Sequence, residues 1–139
     1  MKNILVLCTG NSCRSQIAEG YLRRYAGNKA VIYSAGVEAH GLNPRAVAVM
    51  QQDGIDISAH TSNVLTEYTH LHFDIVITVC DHAKTVCPVW PGTALVIHHN
   101  FPDPARATGT EAEIDAAFIQ VRDQIKEYCR AFVQEYLSA

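Results

Sequence analysis

The sequence predicts an α/β fold in which a single four-stranded parallel sheet is flanked by helices on both faces. Four short apolar runs are read as strands: 4–8, 30–34, 73–80 and 94–98. The third is almost continuously apolar and β-branched at its centre, which is typical of a strand buried on both faces of a parallel sheet. Segments with helical periodicity alternate with these runs, and this alternation favours parallel strands. With 139 residues, 48% of them hydrophobic, we expect one domain spanning 1–139.

The first strand ends on Cys8 and opens into a short polar loop. Gly10, Asn11 and Ser12 let the backbone curl so that several N–H groups point at one spot. A helix beginning near Ser15 adds its unpaired N-terminal amides and the positive end of its dipole, so this spot suits an anion. The loop is not of the ATP-binding type, because no Gly-Lys-Ser/Thr follows it and the chain has no Gly-x-Gly-x-x-Gly pattern.

Cys8 is the candidate nucleophile of this site. A thiol with a pKa near 8.5 is mostly protonated at neutral pH, but helix N-termini and neighbouring cations lower such values to roughly 3.5 to 7.5. Arg14 supplies a cation and a planar fork for a tetrahedral oxyanion, and the Ser15 hydroxyl could donate to the thiolate. The alternative, a buried structural cysteine at a strand end, is disfavoured by Gly10, Arg14 and Ser15 at these spacings.

Local signals define the next elements. Apolar residues at helical spacing over 17–25, stopped at Gly27, indicate the first helix. The strand that follows completes a strand-helix-strand unit with a right-handed crossover. Asn43 as a cap and Pro44 at the first position begin a second helix, which is expected to end at Gly54.

The second half of the chain brings further cysteines and a long helix. The third strand ends on Cys80, and we expect a brief helix over 81–86 that is stopped at Cys87. Thr110 and Glu113 match a capping box at the start of the final helix. Its apolar face comprises Ile114, Ala117, Phe118, Val121, Ile125, Tyr128, Phe132 and Tyr136.

The last strand leads into a loop that contains the best candidate for a general acid, Asp103, between Pro102 and Pro104. Ligands of parallel sheets bind beyond the carboxyl ends of the strands, so Cys8, Cys80 and Asp103 are expected to meet at one edge. The alternative for Asp103 is a solvated loop residue.

The stretch Cys8-Thr9-Gly10-Asn11-Ser12-Cys13-Arg14-Ser15-Gln16 resembles the anion loop shared by low-molecular-weight protein tyrosine phosphatases and the arsenate reductases of the same fold. Five further segments are similar to the thioredoxin-coupled arsenate reductases: 33–36, 38–44, 54–58, 78–88 and 103–110. The resemblance covers nearly the whole chain. It implies a low-molecular-weight phosphatase-like fold and a reductase that converts arsenate to arsenite in arsenic detoxification.

The resemblance also implies residue roles. Cys8 is the nucleophile, Ser15 stabilises its thiolate and Asp103 is the acid. Cys80 and Cys87 are relay thiols, and reduced thioredoxin is the electron donor. The implied oxyanion-binding residues are Thr9, Gly10, Asn11, Ser12, Cys13 and Arg14.

Arsenate reduction takes two electrons, which thiols supply by forming one disulfide. We expect Cys8 to form an arseno-thiol adduct, Cys80 to attack the Cys8 sulfur and release arsenite, and Cys87 to attack Cys80 and free Cys8. Seven residues of intact helix span about 10.5 Å, whereas a disulfide needs Cα atoms within roughly 4.4 to 6.8 Å. The helix over 81–86 is therefore expected to unwind on oxidation.

Some members of the family that this chain resembles share a potassium site beside the anion loop. The corresponding positions here are Asn11, Glu19, Thr61 and Asn63. A carboxylate is expected where Asn63 stands, so one anionic ligand is missing. No tightly bound cofactor is otherwise expected.

Three other functions remain open. A low-molecular-weight protein tyrosine phosphatase would use the same loop and Asp103, but it has no need of Cys80 and Cys87. A reductase coupled to glutathione and glutaredoxin would leave Cys87 dispensable. An oxyanion or zinc sensor, with Cys80, His82 and Cys87 as zinc ligands, would turn nothing over. Phosphate and sulfate are expected to compete with arsenate.

The composition limits the ligand classes and the cellular compartment that we expect for this protein. The net charge of −3, from 11 basic and 14 acidic residues, gives no basic stripe for nucleic acid. No apolar run reaches the roughly 18 residues that a membrane span needs, and the N-terminus lacks a signal-peptide pattern. Five cysteines, an odd number, indicate reduced thiols rather than a disulfide framework. We therefore expect a cytoplasmic protein, and we take a monomer as the default.

Overall fold

The computed structural model of the chain describes residues 2–68, 70–79 and 94–137. The expected helix over 81–86 and the two relay candidates, Cys80 and Cys87, lie outside these ranges.

The sheet has four strands in the order β2-β1-β3-β4, and every neighbouring pair is parallel. The strands are β1 (Lys2–Cys8), β2 (Ala30–Gly36), β3 (Ile75–Thr78) and β4 (Leu95–His98). The helices of the described ranges are α1 (Arg14–Ala26), α2 (Pro44–Gln52) and α3 (Glu111–Tyr136), with short 3₁₀ turns at Leu65–Tyr68 and Pro104–Arg106. The predicted four-stranded parallel α/β fold is confirmed.

Strand β1 is the centre of the core. Ile4, Leu5, Val6 and Leu7 are all 0% exposed, so residues that alternate between the two faces of the sheet are buried on both. Pairing with β2 on one side and β3 on the other leaves β1 with no free edge. An uninterrupted apolar run is the sequence that such a strand requires, because neither face contacts water.

The helix starts follow their predicted local chemistry. Asn43 Oδ1 accepts from the backbone N–H of Arg45 at 2.9 Å and of Ala46 at 3.3 Å, with Pro44 in the first turn. The capping box of Thr110 with Glu113 opens α3. Helix α3 then packs against α1 and α2, and α1 also contacts β2.

Two segments differ from their predicted form. The third strand pairs over only four residues of the apolar run 73–80, Ile75–Thr78. The apolar run is longer than the strand because Phe73 and Val79, each 1% exposed, are also buried but lie outside it. The segment after Asn63, whose sequence favours neither helix nor strand, forms the 3₁₀ turn Leu65–Tyr68, and Val64 makes a single parallel bridge to Gly36.

All four strands point the same way, so their carboxyl ends share one edge of the sheet. Cys8 stands opposite Gly36, and Thr78 opposite His98. The loops after β1, β2 and β4 therefore begin at this edge.

In the described part of the chain, no helix combines the length and the apolar character that crossing a bilayer requires.

Candidate active site

A cleft of about 470 Å³ opens at the carboxyl edge of the sheet. It brings together residues 8–14, from the loop after β1, and residues 100–106, from the loop after β4, although these segments are distant in sequence. The predicted nucleophile, the candidate oxyanion-binding residues and the candidate acid all line this one cleft. The lining residues are Cys8, Thr9, Gly10, Asn11, Ser12, Cys13, Arg14, His40, Asn100, Phe101, Pro102, Asp103, Ala105 and Arg106.

The carbonyl groups of the anion loop bind the backbone of the 37–43 segment, which follows β2. The carbonyl oxygens of Cys8, Thr9, Gly10 and Ser12 each accept an amide N–H, at 2.9 to 3.3 Å, from Val37, Glu38, His40 and Asn43 respectively. In a trans peptide the N–H points opposite to the C=O, and the described residues contain no cis bond. The amides after these carbonyls therefore point away from the 37–43 segment, an orientation that suits anion binding.

Asn11 gives the loop its sharp curvature. Its φ of 48° lies in the left-handed region, which asparagine tolerates better than most residues. The side chain is 0% exposed and donates from Nδ2 to Ser34 O at 3.3 Å, while Oδ1 accepts from Ser15 Oγ at 2.8 Å and from Gln16 Nε2 at 3.2 Å. These contacts hold Asn11 in a conformation that an unconstrained residue seldom adopts.

The role predicted for Ser15 is not the one seen in this arrangement. Its hydroxyl has one proton, and that proton goes to Asn11 Oδ1. Ser15 here positions the loop, and donation to the Cys8 thiolate requires the hydroxyl to rotate.

Arg14 and Asp103 meet in the cleft. Arg14 Nη1 donates to the carbonyl of Phe101 at 3.0 Å, and its Nη2 lies 3.7 Å from Asp103 Oδ2. Asp103 Oδ1 accepts the backbone N–H of Ala105 at 3.0 Å, and Arg106 Nε approaches Oδ2 to 3.8 Å. The guanidinium that is predicted to hold the oxyanion thus also fixes the loop that carries the candidate acid.

The three described cysteines are all buried thiols. Cys8, at the end of β1, is 4% exposed and lines the cleft. Burial, reinforced by the nearby Asp103 carboxylate and opposed by Arg14, raises the pKa of Cys13 to about 12. Burial also raises the pKa of Cys129, whose Sγ lies 3.7 Å from the carbonyl of Ala18. Cys13 and Cys129 therefore remain protonated at neutral pH, which suits structural roles.

The residues expected to bind potassium are engaged with other protein groups. Glu19 Oε1 accepts from Ser34 Oγ at 2.5 Å, and Oε2 accepts from Arg23 Nε at 2.8 Å. Thr61 Oγ1 donates to Asn63 Oδ1 at 2.7 Å. The Arg23 guanidinium already supplies the positive charge beside Glu19, so this set does not fit a potassium ion. Within the described ranges, no cluster of three His, Cys, Asp or Glu residues is suited to a metal.

Sequence reasoning gave no role to two residues that shape the site. Gln16 is 0% exposed, and its Nε2 donates to the carbonyls of Asn11 at 3.0 Å and Thr61 at 2.9 Å. His40 lines the cleft beside the loop. Both lie in segments that carry the family resemblance, which was the available signal.

The chain matches a known family over almost its full length. Residues 3–138 match the family of low molecular weight phosphotyrosine protein phosphatases. The arsenate reductase of Halalkalibacterium halodurans is 47% identical over 133 residues, which cover 96% of each chain. The arsenate reductase of Bacillus subtilis is 48% identical, also over 133 residues and 96% of each chain.

Solved structures agree with this assignment. An arsenate reductase in a phosphate-binding state superposes with a TM-score of 0.80 at 30% identity, covering 99% of this chain and 100% of that chain. The arginine phosphatase YwlE, in a mutant with a phosphorylated active-site serine, has a TM-score of 0.80 at 25% identity, covering 96% of this chain and 94% of its own. The chain therefore belongs to the low molecular weight phosphotyrosine protein phosphatase family, together with these arsenate reductases.

Proposed function

We propose that the protein is an arsenate reductase that passes electrons through Cys8, Cys80 and Cys87 and is re-reduced by thioredoxin. The observation that carries this proposal is the convergence of Cys8, the anion loop, Arg14 and Asp103 in one cleft, in a chain 47% identical to an arsenate reductase. The cysteines at positions 80 and 87 supply the thiols that a phosphatase does not need.

The first chemical step forms a bond between Cys8 Sγ and arsenic. The Cys8 thiolate attacks arsenate held by the loop amides and Arg14, and one As–O bond breaks. Asp103 protonates the departing oxygen, which leaves as water. Arsenic is still in the +5 state in this adduct, because one ligand has replaced another and no electrons have moved.

Reduction occurs when the adduct is resolved. The Cys80 thiolate attacks Cys8 Sγ, the S–As bond breaks, and its electron pair stays on arsenic, which leaves as arsenite. The two sulfurs are oxidised to a Cys8–Cys80 disulfide. Cys87 then attacks Cys80, frees Cys8 and forms a Cys80–Cys87 disulfide, which a dithiol donor reduces.

This chemistry suggests which ligands compete with arsenate and in which compartment the protein works. Phosphate and sulfate match the tetrahedral shape of arsenate, so both compete for the loop, and a solved relative is described in a phosphate-binding state. The relay needs an external reductant that regenerates its thiols, and the cytoplasm is a compartment in which thiols are kept reduced. We propose a monomer that uses no tightly bound cofactor.

The deciding experiment is arsenate-dependent NADPH oxidation in the presence of thioredoxin and thioredoxin reductase. We expect turnover in the wild type and in the control Cys129→Ala, and none in Cys8→Ser or Cys87→Ser. Glutaredoxin with glutathione is assayed in parallel. Turnover that survives Cys87→Ser and prefers glutaredoxin would overturn the relay and the donor, while Cys8 would remain the nucleophile.

Phosphatase activity is the second candidate function. It is favoured by the Arg14–Asp103 pair in the cleft and by the family match. A phosphatase needs one thiolate, one arginine and one acid, and this cleft contains all three. Fast aryl phosphate hydrolysis without arsenate turnover from either donor would make phosphatase the main activity.

A further inference from the structure

His40 is a cleft-lining residue without a role in the steps above. It belongs to the 37–43 segment, which pairs with the anion loop through its backbone. The backbone N–H of His40 donates to the carbonyl of Gly10 at 2.9 Å. The ring is thereby carried beside the residues that hold the oxyanion.

The imidazole lies directly against Gly10. A Cβ built on Gly10 would fall 2.4 Å from Nδ1 of His40 and 2.9 Å from its Cγ. The φ of Gly10 does not fall among the positive values, so backbone conformation does not call for glycine there. The close approach of the His40 ring is what requires a residue without a Cβ at position 10.

Glu38 holds the ring from its other side. His40 Nε2 lies 2.8 Å from Glu38 Oε2, and the backbone N–H of Glu38 donates to the carbonyl of Thr9 at 3.0 Å. With Nε2–H donating to Glu38, Nδ1 remains on the side of the ring that faces Gly10. Both residues of the pair are therefore anchored to the anion loop.

The rest of the cleft lining contains charged side chains as well as apolar groups. Of the other lining residues, Arg14, Asp103 and Arg106 carry charges, and Arg106 is 89% exposed. Phe101 has the only phenyl ring among the described lining residues; it is 3% exposed, and its carbonyl accepts from Arg14. An organic group at the mouth of the cleft would therefore displace water from polar side chains without gaining an exposed aromatic surface.

Inorganic oxyanions and their organic derivatives differ at that mouth. Arsenate and phosphate present only oxygen atoms, whereas an ester or phosphonate carries a carbon group on one position of the tetrahedron. A hydroxyl of monoprotonated arsenate or phosphate can donate to Nδ1 of His40 at this position, and a phenyl group cannot. We propose that His40, positioned by Glu38, makes the cleft select inorganic tetrahedral oxyanions over organically substituted ones; this rests on the proposed function, in which arsenate is the substrate.

The test compares two ligands by calorimetry, inorganic phosphate and phenylphosphonate, in a protein that need not turn over. The wild type is expected to bind phosphate more tightly. His40→Phe keeps a ring at the rim but removes its polar atoms, and we expect it to shift the ratio of the two dissociation constants towards phenylphosphonate by about tenfold. Glu38→Gln, which weakens the hold on the ring, shifts the ratio in the same direction by less.

His72→Phe is the matched control, because His72 is also an exposed histidine beside a carboxylate, Asp74 at 3.8 Å, but it does not line the cleft. Its ratio is expected to equal that of the wild type. Three outcomes would each overturn the proposal. The ratio of dissociation constants in His40→Phe could stay within about twofold of the wild-type ratio, His40→Phe could lose affinity for both ligands equally, or the wild type could prefer phenylphosphonate. Arsenate turnover is measured separately, so failure of the reductase proposal is distinguishable from failure of this one.

Discussion

The carboxylate of Asp103 lies 3.7 Å from the guanidinium of Arg14, and that guanidinium also binds the carbonyl of Phe101 at 3.0 Å. One side chain from the start of α1 therefore fixes the position of the acid loop. The candidate acid is thereby held beside the guanidinium that we propose to bind the oxyanion.

Replacing Asp103 with Asn is expected to slow the hydrolysis of p-nitrophenyl phosphate by about 10²- to 10⁴-fold, the usual contribution of a general acid. The amide cannot protonate the departing phenolate. The loss should shrink for an ester with a more acidic phenol, which leaves without help. The measurement is kcat for both esters, together with the dissociation constant of phosphate, which should change little.

Arg106→Gln is the control for Asp103→Asn. Arg106 is 89% exposed and lies 3.8 Å from the same carboxylate, so it forms a solvent-screened pair of small energetic value. We expect its kcat to stay within about threefold of the wild type. Equal losses for both esters in Asp103→Asn would show that the carboxylate orders the loop and does not act as the acid.

Gly10 and Gly36 give a second prediction, because a Cβ at each meets a different kind of neighbour. At Gly36 a Cβ would lie 2.4 Å from the carbonyl of Glu38 and 2.6 Å from that of Thr9, both backbone atoms. At Gly10 the obstacle is the His40 side chain, which is 54% exposed and has room to turn. Gly36→Ala should abolish phosphate binding and lower Tm, whereas Gly10→Ala should weaken binding and leave Tm nearly unchanged.

The double variant Gly10→Ala with His40→Ala decides whether the clash is the cause. Removing the ring should restore most of the phosphate affinity lost in Gly10→Ala, whereas adding His40→Ala to Gly36→Ala should restore none. A double variant at Gly10 that binds no better than the single variant would mean that the glycine is needed for the loop backbone itself.

Most of the fold was predictable because its signals are local. Asn43 with Pro44, and Thr110 with Glu113, encode helix starts within a few residues, and the structure has caps at both places. The run Ile4 to Leu7 requires a strand buried on both faces, and it is one. Local chemistry of this kind works without knowledge of the tertiary contacts.

The site was predictable as far as its residue types and less so in its contacts. The chemistry of the loop after β1 predicts Cys8 and Arg14, whereas Asp103 is predicted from its loop together with the family resemblance. The bond from Ser15 to Asn11 and the packing of His40 on Gly10 depend on loop shape. Such contacts depend on how the 37–43 segment pairs with the anion loop, and no local pattern specifies that pairing.

The ion pair between Glu19 and Arg23 predicts indifference to potassium. A bound potassium ion would stabilise the fold by mass action, so Tm would rise with its concentration. Because the guanidinium already neutralises Glu19, we expect the same Tm in KCl and NaCl at equal ionic strength. The measurement is thermal unfolding at several concentrations of each salt.

Arg23→Gln is the matched variant for the salt comparison, since it withdraws the cation from Glu19, which is 7% exposed at its side chain. A rise in Tm specific to potassium in this variant, but not in the wild type, would agree with the guanidinium taking the place of an ion. A rise specific to potassium in the wild type would contradict the prediction.

The last prediction concerns stability. Tyr21 is 0% exposed in α1 and donates its hydroxyl to Asp53 Oδ2 at 2.7 Å, and Lys126 Nζ of α3 lies 2.9 Å from the same oxygen. The hydrogen bond from Lys126, followed by that from Tyr21, holds the pKa of Asp53 below its ordinary value. A carboxyl whose pKa is lowered by folding stabilises the protein above its unfolded pKa. That contribution is lost as the pH falls through the folded pKa.

Tyr21→Phe should therefore lower the free energy of unfolding at pH 7 by about 1.5 to 3 kcal/mol, the value of a hydrogen bond to a charged group. The difference from the wild type should narrow below about pH 4, where the Asp53 carboxyl becomes protonated in the unfolded chain and then in the folded one. Urea unfolding at pH 7, 5 and 3 measures it. Tyr25→Phe, one turn further along α1 and half-buried, is the control, with a loss below about 0.5 kcal/mol at every pH. A Tyr21→Phe loss that is the same at pH 7 and pH 3 would assign the effect to packing of the ring instead of its bond to Asp53.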